Sequence, residues 1–224
     1  MIYIIMWVFM LIWLAIIYSL VFSLGLGLPV WVVMLILVVS LAGSNVNIPL
    51  FYIRSWRPII RGEVVRFLFF DFIVPTIDIE EQKTLIAVNL GGCVIPVLLS
   101  IYLAYRMVLM SGFYVILFLI IAIIIDSLAI YSVSRPIQGV GIVTPALLPP
   151  LFTLIIVEVL SPFYASVNFF AFIYTVGTLS SLIGADLLNI NKIPKLGAPV
   201  ASIGGAGIFD GIFLNGIIAV LFAL

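Results

Sequence analysis

Gly204-Gly205-Ala206-Gly207-Ile208-Phe209-Asp210-Gly211-Ile212-Phe213-Leu214-Asn215-Gly216 lies inside an otherwise apolar run, residues 198–224. A transmembrane helix takes about 20 apolar residues, so the run is long enough to span a bilayer. Read as a span, it holds Asp210 near mid-membrane, where a charge costs at least ~3 kcal/mol on insertion scales. A carboxylate kept there marks a candidate functional site. The glycines around it remove side-chain bulk, so another backbone, a water or a substrate can come close. The competing reading is that the glycines only pack helices and Asp210 pairs with a neighbour.

Composition extends the membrane reading to the whole chain. It is 66% hydrophobic and 8% charged, against about 25% charged residues in a soluble domain. Lys and Arg together balance Asp and Glu, for a formal net charge of zero. That gives no electrostatic case for nucleic acid as a partner. There is no His, the commonest metal ligand and general base. The single Cys93 has no partner for a disulfide or a thiolate metal cluster. No cofactor and no metal site is therefore expected. Hydrolytic chemistry, if present, falls to Asp, Glu, Ser, Thr, Tyr or Lys. The first basic residue is Arg54, so residues 2–23 lack the charged n-region of a secretory signal and read as a retained span.

These features predict an all-α integral membrane protein, a single polytopic domain over residues 1–224 with about seven transmembrane helices. The expected spans are residues 2–24, 30–52, 84–105, 112–134, 145–161, 163–184 and 198–224. The second ends in Gly43-Ser44-Asn45-Val46-Asn47-Ile48-Pro49, and the third opens with Asn89-Leu90-Gly91-Gly92-Cys93-Val94-Ile95-Pro96. Asn45 and Asn47 cannot both face lipid without cost, which suggests a broken helix. The two segments share Asn, small residues and Ile-Pro, a weak internal echo too short to prove a repeat. The fifth span opens with Pro145-Ala146-Leu147-Leu148-Pro149-Pro150, and its prolines make it short or kinked.

Residues 54–83 form the only long hydrophilic connection. Arg54, Arg57, Arg61 and Arg66 crowd its first part, and Asp78, Glu80, Glu81 and Lys83 close it. Its middle, residues 64–74, is rich in β-branched and aromatic residues. A short amphipathic segment or a β-hairpin fits, and the hairpin is preferred. With the N-terminus cytoplasmic, these arginines, Lys83, Arg135, Lys192 and Lys195 fall on cytoplasmic segments, and Arg106 falls outside. The positive-inside tendency therefore puts the connection in the cytoplasm and the C-terminus outside the plasma membrane.

Three aspartates are candidates. Asp126 lies ~12 Å and Asp210 ~18 Å from the cytoplasmic end of its span, at 1.5 Å per residue. Their helices run in opposite directions, so the two carboxylates can meet inside the membrane. Like charges that close share one proton. Such a pair can activate water for peptide hydrolysis, or bind and release a cation or a proton. Asp186, in Gly184-Ala185-Asp186-Leu187-Leu188-Asn189, is the third candidate, at the cytoplasmic edge. Each Asp can equally be structural, accepting hydrogen bonds from Ser, Asn or Tyr.

Two resemblances bear on function. The Asp186 and Asp210 segments, with Val88-Asn89-Leu90-Gly91-Gly92, resemble an uncharacterised family of archaeal and bacterial multi-pass membrane proteins known only as a domain of unknown function. That likeness covers most of the chain and implies no activity. A weaker likeness is to the intramembrane aspartyl proteases, the presenilin and signal peptide peptidase group. Asp126 on an outside-to-inside helix is similar to that family's first Asp. Gly205-Ala206-Gly207 before Asp210 is similar to its Gly-x-Gly before the second. Pro145-Ala146-Leu147 is similar to its Pro-Ala-Leu. The departures are Ile125 where the family has Tyr, Asp210 three residues after Gly207 rather than directly after it, Pro-Ala-Leu between the aspartates, and seven expected spans rather than nine.

The resemblance implies Asp126 and Asp210 as a catalytic pair, with Pro145, Ala146, Leu147, Gly205 and Gly207 contacting a transmembrane peptide. An ion-coupled transporter or channel would use the same aspartates with Asn45, Asn47 and Asn89 as a site for a small cation on helices broken at Gly and Pro. A non-catalytic membrane scaffold would use the aspartates only to lock helices. In each case the lipid bilayer is the surrounding partner.

Overall fold

The computed structural model describes residues 19, 22–67, 70–138, 141–163, 167–206 and 210–224. Residues 22–26 are helical, and most of the span expected over residues 2–24 lies outside the described residues. The chain continues as α1 (Val30–Gly43), β1 (Asn47–Phe67) and β2 (Phe70–Asn89). A π-helical turn (Leu90–Val94) leads into α2 (Ile95–Ser111). There follow α3 (Tyr114–Val133), β3 (Arg135–Ile137), β4 (Gly141–Val143), α4 (Leu148–Leu160) and α5 (Phe169–Ser181). A second π turn (Leu182–Asp186) and a 3-10 segment (Leu187–Leu196) carry α5 onward to β5 (Val200–Ile203) and α6 (Gly211–Phe222).

The expectation of an all-α protein with seven spans is therefore corrected. Among the described residues three helices are long and apolar enough to cross a membrane: Leu90–Ser111, Tyr114–Val133 and Phe169–Pro194. These make the chain a membrane protein. Val30–Gly43, Leu148–Phe163 and Gly211–Phe222 are apolar but shorter. Apolar composition alone did not reveal where backbone pairing replaces helix. Residues 198–224, read as one span, are a strand, a glycine turn and a 12-residue helix. Gly204 is the reason at its centre. It sits at φ +71°, and a Cβ there would press on Cys93. The second expected span likewise stops at Gly43, and the third begins as strand through Asn89.

The hydrophilic connection is a β-hairpin, but a long one. β1 and β2, of 21 and 20 residues, pair antiparallel from Asn47↔Asn89 to Phe67↔Phe70, with one irregularity between Pro49 and Phe51. Its β-branched and aromatic residues favour a pleated surface. β5 adds parallel to the base of β2, giving the order β1-β2-β5. Ser55 and Thr84 lock the base: the Thr84 hydroxyl lies 2.7 Å from that of Ser55 and 2.6 Å from the Ala198 carbonyl oxygen.

The helices pack around α5, whose residues from Ala171 to Thr178 are all buried against α2, α3, α4 and α6. In a membrane the drive comes from close packing rather than water exclusion, so small residues matter at crossings. Gly177 faces Thr153 of α4 and the backbone of α6, and a Cβ at Gly216 of α6 would strike Thr178 of α5. Phe22 meets Tyr174 edge-on, with ring centroids 6.0 Å apart.

Candidate functional site

The three aspartates fall into two settings. Asp210 is not in mid-helix: it is the N-cap of α6, with extended φ −73° and ψ 149°. Asp is a favoured N-cap because its carboxylate satisfies orphan N–H groups of the first turn. Here Ile212 N–H donates to Oδ1 at 3.0 Å, and Ala206 N–H, from the glycine turn, reaches Oδ2 at 3.4 Å. Burial nonetheless pushes the Asp210 carboxyl above the usual carboxylate range, and the two N–H bonds oppose that shift.

Asp186 ends the π turn that closes α5. A one-residue widening of a helix is often found at functional sites. Two devices fix this one. A Cβ at Gly184 would collide with the Ser127 carbonyl of α3, so the turn lies directly on that helix. The Asn189 amide donates to the carbonyl oxygens of Ala185 at 2.8 Å and Gly184 at 3.2 Å. Asp186 has no hydrogen-bonded partner among the described residues.

Asp186 and Asp210 line one cavity of about 550 Å³. Its walls are all four residues of β5, Gly205 and Ala206 of the glycine turn, Ile193 and Leu196 of the 3-10 segment, and Gly141 and Ile142 of β4. Beyond its pairing with β2, β5 has no strand partner among the described residues. One wall of the cavity is thus the outer strand of the sheet as described.

Asp126 sits elsewhere. It is fully buried in α3 and does not line that cavity. Its Oδ2 accepts from the Thr153 hydroxyl of α4 at 2.7 Å. Asn215 of α6 joins the same knot, donating to Gly177 O and Ser181 Oγ of α5, each at 2.8 Å. Asn215 lies five residues beyond Asp210, or ~7.5 Å along the helix. The structure therefore brings Asp186, not Asp126, beside Asp210.

The other sequence candidates divide similarly. Gly205 is on the cavity, while Gly207 lies outside the described residues. Pro145, Ala146 and Leu147 are exposed ahead of α4 and are not in the cavity lining. Asn89 is buried and structural in its contacts. It donates to Ser44 O at 2.7 Å and Asn47 Oδ1 at 3.0 Å, and its own Oδ1 accepts from Gly92 N–H. It ties the end of α1 to both strands. Asn45 is exposed in the turn after α1. Thr153, Asn215 and Ser181 were missed. Only Asn215 gave a signal, as an amide in an apolar run, because hydroxyls are common in membrane helices. Among the described residues no group of three or more His, Cys, Asp or Glu is gathered to hold a metal ion.

Residues 41–222 match the family described as "Protein of unknown function (DUF1614)". No curated protein and no solved structure matches the chain.

Proposed function

The chain belongs to the DUF1614 family, whose description carries no activity, and from the site itself we propose that Asp186 and Asp210 are a carboxylate dyad for peptide hydrolysis at the membrane. The observation that carries this reading is the shared cavity with the outer strand β5 as its wall. An extended peptide can add to the edge of such a strand through main-chain hydrogen bonds, which would lay a scissile bond beside the carboxylates. One carboxylate then takes a proton from water while the protonated partner donates to the peptide carbonyl oxygen. Collapse of the tetrahedral adduct returns a proton to the leaving amine. Asp210, held by two N–H groups, is the fixed member. The intramembrane aspartyl proteases share this logic, and the likeness moves from Asp126 to Asp186 as the first carboxylate.

The orientation that suits this reading keeps the N-terminus, the hairpin and the dyad on the cytoplasmic side of the plasma membrane. Arg54, Arg57, Arg61, Arg66, Lys83, Arg135, Lys192 and Lys195 then lie inside. The test is cleavage of a mixed pool of labelled transmembrane peptides by purified protein in detergent. The parent should cleave, Asp186→Asn and Asp210→Asn should each fall to background while still folded, and the double variant should be no worse. A folded parent that cleaves nothing would refute the proposal.

The Asp126 knot supports a second reading, ion-coupled transport. Its carboxylate keeps one oxygen, Oδ1, without a hydrogen-bond partner among the described residues. Sodium- or proton-dependent uptake lost in Asp126→Asn, without peptide cleavage by the parent, would favour it.

A further inference from the structure

The β1–β2 hairpin has two unlike faces. Antiparallel partners share a face and successive residues alternate. One face carries Trp56, Ile60 opposite Ile77, Val64 opposite Ile73, and Ile79. The isoleucines among them are 72–78% exposed: Ile60 78%, Ile73 74%, Ile77 75% and Ile79 72%. From Trp56 to Val64 this stripe runs ~26 Å at ~3.3 Å per residue. Ion pairs bound it at both ends, Arg54–Glu81 at 3.7 Å toward the base and Arg66–Asp71 at 2.7 Å toward the tip. The other face carries Glu63 and the Arg61–Asp78 pair at 3.7 Å, with the less exposed Val65 and Val74 toward the tip. A contiguous apolar surface bare to solvent marks a contact surface.

We propose that this face lies on the surface of the bilayer in which the protein is embedded. Continuity with the membrane-facing surface carries the argument. No charged residue occurs from Val30 to Ile53. Trp31, Leu35 and Val38 of α1 are exposed, and so is Tyr52 at the root of the hairpin, on the same face as Trp56. Tyr and Trp are the residue types of the membrane–water interface. The opposite face is covered at this root: Ser55 is buried and Ile53 packs against the cluster of Ile193 and Leu196. The stripe thus follows in the chain from the exposed apolar residues of α1, while the opposite face carries Glu63 and the Arg61–Asp78 pair to water. The ion pairs that bound the stripe are formed within the hairpin, so those four charges are not held out for a facing protein copy.

The experiment uses the full chain in phosphatidylcholine vesicles, with Trp7, Trp13 and Trp31 replaced by Phe so that Trp56 alone reports. Acyl-brominated lipid should quench Trp56, its emission should be blue-shifted, and high salt should change neither. In the same background Ile60→Lys with Ile77→Lys should red-shift Trp56 and abolish the quenching. Independently of Trp, an environment-sensitive dye on Ile77→Cys in a Cys93→Ser chain should report an apolar setting. Trp56 emitting as in water and untouched by the brominated lipid would overturn the proposal. So would Trp56 shielded from both lipid bromines and aqueous iodide with Ile77→Cys chains cross-linking to one another, which would assign the face to a second copy.

Discussion

The Asp186–Asp210 cavity and the Asp126 knot are built from the same side chain in opposite ways. The first pair shares an open volume of about 550 Å³, and among the described residues Asp210 is held by backbone N–H groups. The second carboxylate is fully buried, does not line that cavity and is tied by Thr153 to α4, beside Asn215, which ties α6 to α5. Hydrogen bonds between buried polar groups on different helices favour one packing arrangement. A carboxylate pair beside space is arranged for something that comes and goes. What separates the settings is the end of the helix. Asp186 and Asp210 sit where helices stop or begin, and Asp126 lies within α3.

The largest expected difference between the two settings is in activity. Removing one acid–base partner typically costs about 10²–10⁴-fold, so Asp186→Asn and Asp210→Asn should lose peptide cleavage by that order. Asp126→Asn keeps an acceptor for Thr153 and should retain activity within about tenfold, since acid–base chemistry would not pass through it. Equal losses at all three positions would erase the distinction.

Stability should invert the ranking. Asp126→Leu removes the bond that ties α3 to Thr153 of α4, whose hydroxyl keeps the Pro149 carbonyl of its own helix at 3.0 Å. It should destabilise by roughly 1–3 kcal/mol, the range for a hydrogen bond to a charged group. Asn215→Leu should cost a similar amount, with the Ser181 hydroxyl losing its donor. Thermal melts in detergent measure both, and an unchanged melting temperature in either would show that the knot does not hold the bundle. Gly184→Ala drives a methyl into the Ser127 carbonyl of α3. It should cost about 1–3 kcal/mol by overpacking and displace Asp186, so activity should fall with stability.

The smallest effect is on pH dependence. Burial raises the Asp210 carboxyl, so the folded state holds that proton to higher pH than the unfolded chain does. Stability from this group is complete below the ordinary Asp value of about 3.9 and is lost as pH rises through the raised folded value. Asp210→Asn, which keeps an N-cap acceptor, should therefore show a shallower fall in melting temperature from acid toward neutral pH than the parent. Parallel curves would show that Asp210 is not desolvated.

The sequence by itself determined the solvent. Sixty-six per cent hydrophobic residues with 8% charge require a membrane, and the central parts of α2, α3 and α5 follow from apolar runs of sufficient length. It also marked residues 54–83 as hairpin-forming through β-branched and aromatic residues, and it marked all three aspartates by their cost in lipid. Tertiary structure decided the rest. An apolar run does not distinguish helix from buried strand, because hydropathy is blind to where N–H and C=O groups find partners. Residues 198–224 read as one helix until β2 supplied backbone partners to Val200–Ile203 and Gly204 packed against Cys93. Depth counted along ideal helices paired Asp126 with Asp210. The break at Gly204 and the π turn at Leu182–Asp186 moved Asp210 to a helix start and put Asp186 beside it. Which carboxylates meet is a long-range property of the fold, set by where helices end against other elements, and no local spacing records it.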